Sequence, residues 1–248
     1  MKILITITAF FISFQLQAAA ITADEIVRRA IEHWRDLSSY SEFEMTIHRS
    51  DWERTMRMQV WTQGLDQSLM RVVEPAKDRG NATLLIDNRM WSFAPKINRV
   101  IKIPSSMMNQ SWMGSDFSNN DIVRADEIIE QYEHKIVEST EIEGHTVYTI
   151  ESIPHEDAPV VWGKELLRIR DDNVMLEHTF YDQDNAVVKR MVTSDIREIG
   201  GKVIAAVERM QKEAHPDEWT EVRVLDASYG ISIPPGTFTL SSLRNPRF

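Results

Sequence analysis

The stretch WMGSDFSNND, residues 112–121, holds the side chains best placed to do chemistry. Asp116, Ser118 and Asn120 alternate, and Glu127 is the twelfth residue counted from Asp116, which nearly reproduces the ligand spacing of an EF-hand calcium loop. That loop turns sharply at its sixth position, where glycine is needed. Asp121 stands there, and its side chain conflicts with the turn. The flanking sequence also lacks a pair of long amphipathic helices. No metal is expected. Asp116, Ser118, Asn119, Asn120 and Asp121 are instead expected to bond their own backbone in tight turns and a helix cap.

Catalytic chemistry finds little support. The chain has no cysteine, so it offers no thiolate nucleophile and no disulfide. Gly114–Ser115 lacks the rest of a Gly-x-Ser-x-Gly elbow, and His155–Glu156 is followed by Asp157 and Ala158 rather than completing His-Glu-x-x-His. No phosphate-cradling glycine pattern occurs. The seven histidines never pair at ligand spacing within one element, although strand pairing across a turn at 141–144 could bring His134 and His145 together; solvated surface histidines are the expectation. No catalytic residue and no cofactor are expected; an enzyme of unknown type is the third function class.

Methionine and tryptophan are the remaining signal. There are 12 Met and 7 Trp. Met45, Met56 and Met58 lie on the apolar faces of neighbouring strand patterns, and Met107, Met108 and Met113 lie in an irregular, greasy insertion. Methionine is unbranched and polarizable, so it repacks around guests of variable shape. Any single one is ordinary core filling. The cluster points to an apolar hollow lined by Met45, Ile47, Met56, Met58, Val60, Trp91 and Phe93, with Met107, Met108, Trp112, Met113 and Phe117 as its lid.

The elements that must position these residues are mostly strands. Thr22–Leu37 reads as a helix, with Thr22 and Glu25 forming a capping box and Ile26, Val27, Ala30, Ile31, Trp34 and Leu37 forming one apolar stripe. About a dozen strand segments follow, from the alternating FEMTIHR and RTMRMQVWT to Thr220–Leu225, separated by short polar turns. Short turns imply antiparallel neighbours, and one large twisted antiparallel sheet must curl or split. Residues 103–131 lack alternation; a second short helix is expected there, capped by Ser118 with Asp121 at its third position.

At the start, Lys2, the apolar run Ile3–Phe14 and Ala18–Ala20 form an export signal cleaved after Ala20. Residues 21–248 are expected to be a single domain, since no linker or repeat divides them. No later apolar run approaches the ~20 residues of a spanning helix. The formal charge is −10, which argues against nucleic acid and anionic membrane as main partners.

Three stretches resemble a known family: RGNATLLIDNRMWSFAPKINRVIKIP (79–104), WMGSDFSNNDI (112–122) and YGISIPPGTFTLSSL (229–243). They are similar to the exported outer membrane lipoprotein-sorting proteins, relatives of the periplasmic lipoprotein carrier LolA. The resemblance implies a mainly β fold with some α: an incomplete, half antiparallel β-barrel whose hydrophobic concave side is plugged by helices. It implies a periplasmic protein that binds acyl chains of a lipoprotein or lipid and shuttles them between membranes, with an inner-membrane transporter and an outer-membrane acceptor as partners; a monomer is expected. The alternative it leaves open is a lipid-sensing regulator that docks on a membrane partner.

Overall fold

The computed structural model describes residues 21–124 and 126–244; the expected export signal, residues 1–20, lies outside them. Helix α1 (Ala23–Arg35) is followed by β1 (Ser38–His48), β2 (Glu53–Gln63), β3 (Gln67–Glu74), β4 (Ala82–Ile86), β5 (Arg89–Ala94) and β6 (Arg99–Lys102). The segment 103–131 then carries the short helix α2 (Asn119–Val123). The second half runs through β7 (Tyr132–Ile142), β8 (His145–Pro154), β9 (Lys164–Arg170), β10 (Met175–Tyr181), β11 (Val187–Ile199), β12 (Lys202–Lys212) and β13 (Trp219–Tyr229), and ends in α3 (Leu240–Arg244).

The thirteen strands form one sheet in the order β6-β5-β4-β3-β2-β1-β13-β12-β11-β10-β9-β8-β7. Every neighbouring pair is antiparallel. The chain starts in the middle of the sheet and meanders out to one edge at β6. It then crosses to the opposite edge at β7 and meanders back until β13 pairs with β1. The two edges do not pair, so the sheet is an open half-barrel, as the resemblance implied. Each strand segment read from alternation is present, most of them longer than the alternating stretch because pairing continues past the last apolar residue.

Two covers lie on the inner face. Helix α1 packs Ile26, Val27 and Ile31 against Ile150, Leu167 and Ile169 of β8 and β9. Segment 103–131 packs Trp112 and Val123 against the inward residues of β1 to β5, among them Met45, Met56, Met58 and Met90. A third cluster sits on the outer face, where Leu243 and Phe238 of the C-terminal segment cover Trp61, Leu69, Leu84 and Phe93. Each such fully buried side chain contributes roughly 1.5–3 kcal/mol through loss of apolar surface from water.

Three local expectations are corrected. Helix α1 stops at Asp36, which has φ 57°, not at Leu37; Leu37 leaves the stripe and is 83% exposed, and Trp34 is 48% exposed. The capping box at Thr22 is half formed. Thr22 Oγ1 accepts from the Glu25 amide at 3.2 Å, but the Glu25 carboxylate pairs with Arg29 one turn on. Trp91 and Phe93 belong to the outer face, because in β5 it is Met90 that points inward.

Candidate functional site

The two inner covers meet at the end of the second one, where Ile128 and Ile129 pack with Ile26, Val27 and Ile31 of α1. Elsewhere between α1 and the plug (as segment 103–131 is called from here) the inner face is roofed only in part, leaving a hollow of about 360 Å³. Its floor is the middle of the sheet, where Phe43, Val60, Met70, Met210 and Val224 project. Trp112, Phe117 and Ile122 of the plug wall one side and Ala30 and Ile31 of α1 the other. Trp34, half exposed, stands beside it on α1. A second groove, on the outer face, is lined by Arg71, Glu74, Arg79 and Arg244 among others. It is shallow and charged, and it offers an apolar ligand little cover.

Of the lining expected from sequence, Val60 borders the hollow. Met45, Ile47, Met56 and Met58 are on the inner face but wholly buried beneath the plug, one end of the sheet away from the open part. Trp91 and Phe93 are on the outer face. Of the expected lid, Trp112 and Phe117 wall the hollow, whereas Met108 and Met113 press on the methionine cluster. Met107 is half-buried, and its carbonyl accepts from the Asn119 side chain at 2.9 Å.

The plug is knitted to itself, tied to the sheet through Trp112 and latched by two ion pairs. Trp112 N–H donates to the Phe117 carbonyl at 2.8 Å, and Asn120 N–H donates to the Met108 carbonyl at 2.8 Å. Ser118 and Asp121 form a full capping box at the start of α2. The indole N–H of Trp112 donates to Thr83 Oγ1 at 3.1 Å on the sheet. Asp116 departs from the expected turn role. It is 5% exposed and accepts both ends of the Arg49 guanidinium at 3.0 and 3.2 Å, plus the Thr220 hydroxyl at 2.7 Å. Its oxygens are therefore occupied by a resident cation and a hydroxyl, which is why the calcium spacing around it carries no calcium geometry. The second latch is Lys189, 3% exposed, which pairs with Asp121 while lying over the rings of Phe180 and Trp162 at 4.5 and 4.9 Å. Ion pair and cation–π contacts together give this buried side chain its partners.

His134 and His145 are not brought together. His134 bonds the Ser152 hydroxyl and the Ile128 carbonyl, and burial pushes its pKa down. His145 contacts Asp171 at an exposed turn, where Arg170 pairs with the neighbouring Asp172.

Several polar groups reach the hollow that the sequence reading passed over. Glu165 accepts from the Tyr132 hydroxyl and contacts His178 Nε2, all three bordering the cavity. Burial and the adjacent Glu165 push the Tyr132 pKa up. Glu208 projects from β12 into the hollow, and burial raises its pKa to about 7. Its signal was a lone carboxylate among Ile204, Ala206 and Met210 at two-residue spacing. Arg35, 4% exposed, also borders the cavity. It stands four residues after Ile31 and eight after Val27, so an arginine on the buried stripe of α1 was visible as an anomaly.

Glu208 makes stability depend on pH. Its folded pKa lies above the unfolded one, so below about pH 4.5 both states hold the proton and the site costs nothing. Between about pH 4.5 and 7 the unfolded chain ionises first and stability falls. Glu208→Gln is expected to raise stability at pH 8 by roughly 2–3 kcal/mol, less where water enters the hollow, and to make no difference near pH 4. Urea denaturation at the two pH values checks this; equal midpoint shifts at both would show that Glu208 is solvated.

Comparison with known proteins agrees with the architecture. The model of a family described as "Uncharacterized protein" matches residues 64–245. A DUF1329 family protein from Desulfovibrio piger superposes with a TM-score of 0.80 at 23% identity, covering 89% of this chain and 97% of that one. A protein described as a candidate outer membrane lipoprotein-sorting domain from Vibrio parahaemolyticus gives 0.76 at 22% identity, over 90% and 98% of the two chains. A LolA superfamily protein from Nitrosomonas europaea gives 0.73 at 23% identity, over 90% and 99%. No curated protein matches the chain in sequence. Among the described residues, no helix is long and apolar enough to cross a membrane.

Proposed function

The chain belongs to the family matched over residues 64–245 and has the LolA-like fold, and from that premise we propose that it is a periplasmic carrier, one unit from residue 21 to 248, that holds an acyl chain in the hollow between α1 and the plug and moves it between membranes. A binding role, rather than a catalytic one, suits a site whose walls are mostly apolar. The observation that carries this reading is the unroofed middle of the inner face, an apolar cavity beside a plug that is its own hydrogen-bonded unit.

The energetics favour such a plug. Burying an acyl chain is worth about 0.8 kcal/mol per methylene, so a chain of about fourteen costs roughly 11 kcal/mol to expose. A permanently open apolar trough would hold it too tightly to release, and would itself be sticky. Here cargo entering the hollow competes with Trp112 and Phe117 for the same floor, so binding exchanges one apolar contact for another and the net affinity stays moderate. The hollow as it stands is at the small end of the ~300–1,000 Å³ typical of small-molecule sites. A single slender chain fits that space; bulkier cargo requires the plug to lift and uncover Met45, Met56 and Met58.

Native mass spectrometry of protein purified from the periplasm of a two-membrane bacterium is expected to reveal copurified lipid or acylated peptide. Protein that carries none, and acquires none on incubation with lipid vesicles, would end the carrier reading.

A further inference from the structure

The inner face is not uniformly apolar. Along β1 to β3 it changes character from one end to the other. At the plug end stand Met45, Met56 and Met58. At the other end Ser39, Thr62 and Ser68 face each other across three adjacent strands, since Ser39 pairs with Thr62 and Thr62 with Ser68 in the sheet register. All three hydroxyl residues are buried and all three border the hollow. Ser39 and Thr62 bond each other at 2.6 Å.

The guanidinium of Arg35 belongs to the same end. Helix α1 delivers it, and its carbonyl lies 3.5 Å from the Thr62 hydroxyl. Its Nε and Nη2 atoms have no hydrogen-bond partner. The carboxylates of Asp126 and Asp66 act on it only through space, and burial of the charge outweighs them. A buried guanidinium normally presents its five donors to carboxylate, phosphate or carbonyl groups, and leaving them unmade is costly. Arg124, from the end of α2, borders the same cavity. It gives Nη1 to Glu127 at 2.8 Å and leaves its Nε unpartnered.

A cavity with a greasy length and a cationic, hydroxyl-lined end matches an amphiphile with a negative head. Resting on the carrier reading, we infer that the cargo is anionic: Arg35 binds its carboxylate or phosphate oxygens, with Ser68 as an additional donor, and the acyl chain runs along the sheet toward Trp112 and Phe117. An uncharged head would leave the guanidinium unsatisfied, so the site discriminates by head group as well as by chain. A free fatty acid and a phosphate-headed lipid both supply this chemistry.

The test uses three ligands with one twelve-carbon chain, dodecanoate, dodecyl phosphate and dodecanol, each displacing the uncharged fluorophore N-phenyl-1-naphthylamine from the full mature chain at pH 8. At least one anion is expected to displace the probe at a concentration about tenfold or more below dodecanol, the range of a hydrogen bond to a charged group. Preference for the carboxylate points to fatty acids and preference for the phosphate to phospholipids. Arg35→Gln should bring all three within about twofold of one another while leaving dodecanol where it was. The variant removes a buried charge whose Nε and Nη2 lack hydrogen bonds, so it is expected to be no less stable by thermal melting. The wild-type ratio needs no variant, and Arg124→Gln offers a second one, expected to weaken the anions alone. Dodecanol binding as tightly as both anions to the wild type, or head-group preference surviving Arg35→Gln, overturns the inference and leaves the carrier reading intact. Displacement by none of the three overturns both.

Discussion

Arg49→Ala is expected to destabilise the protein by roughly 3–5 kcal/mol and to loosen the plug. The guanidinium grips both oxygens of Asp116 and also donates to the carbonyls of Gly114 and Trp219 at 3.1 and 3.2 Å. The side chains are 12% and 4% exposed, so water screens the pair little. Removing one member of a buried pair leaves the other charged without its partner, which is the costly way to break it. Asp116 would retain the Thr220 hydroxyl and Lys212 at 3.7 Å. Replacing both members, Arg49→Met with Asp116→Leu, should recover much of the loss, because no orphaned charge remains. Urea denaturation measures the cost. Amide hydrogen exchange at residues 112–117 should rise in the single variant more than at the centre of β12. A loss under about 1 kcal/mol, or exchange unchanged in the plug, would mean that Trp112 and Lys189 hold it without this latch.

Val224→Trp should cost more than a hundredfold in acyl-chain affinity without harming the fold. Val224 projects from β13 opposite Phe43, on the floor of the hollow. An indole there fills space that cargo would use. Excluding even four methylenes forfeits about 3 kcal/mol, which exceeds a hundredfold. In a close-packed core the same change would overpack and cost 1–3 kcal/mol. The experiment therefore separates two pictures with one variant. Lost binding at unchanged melting temperature fits an accommodating cavity, whereas a lowered melting temperature with binding retained places the ligand elsewhere.

The strands were legible because antiparallel sheets solvated on one face alternate, and β1, β2 and β13 do so plainly. The side chosen for Trp91 and Phe93 was not legible. In β3 to β5 both faces are covered, by the plug inside and by Phe238 and Leu243 outside, so both parities are apolar and alternation no longer says which way is in. The methionines of β1 and β2 were assigned to the proper face. Whether they sit under the plug or in the gap beside it depends on how 103–131 crosses from one edge to the other, and no local pattern encodes that. Asp116 shows the same limit. Its spacing spoke of ligands, and its partners, Arg49 and Thr220, lie 67 and 104 residues away. Arg35 and Glu208 were readable in retrospect as charges placed on otherwise apolar periodicities.

The crossing from β6 to β7 ties the plug to both edges of the sheet. A stopper anchored to opposite rims cannot diffuse away. Tethers of this kind impose effective concentrations on the order of millimolar, so the vacated seat is refilled by its own strap before a stray hydrophobic segment of another chain can reach it. In the proposed carrier, connectivity of this kind would suppress self-association through the methionine-rich surface beneath the plug.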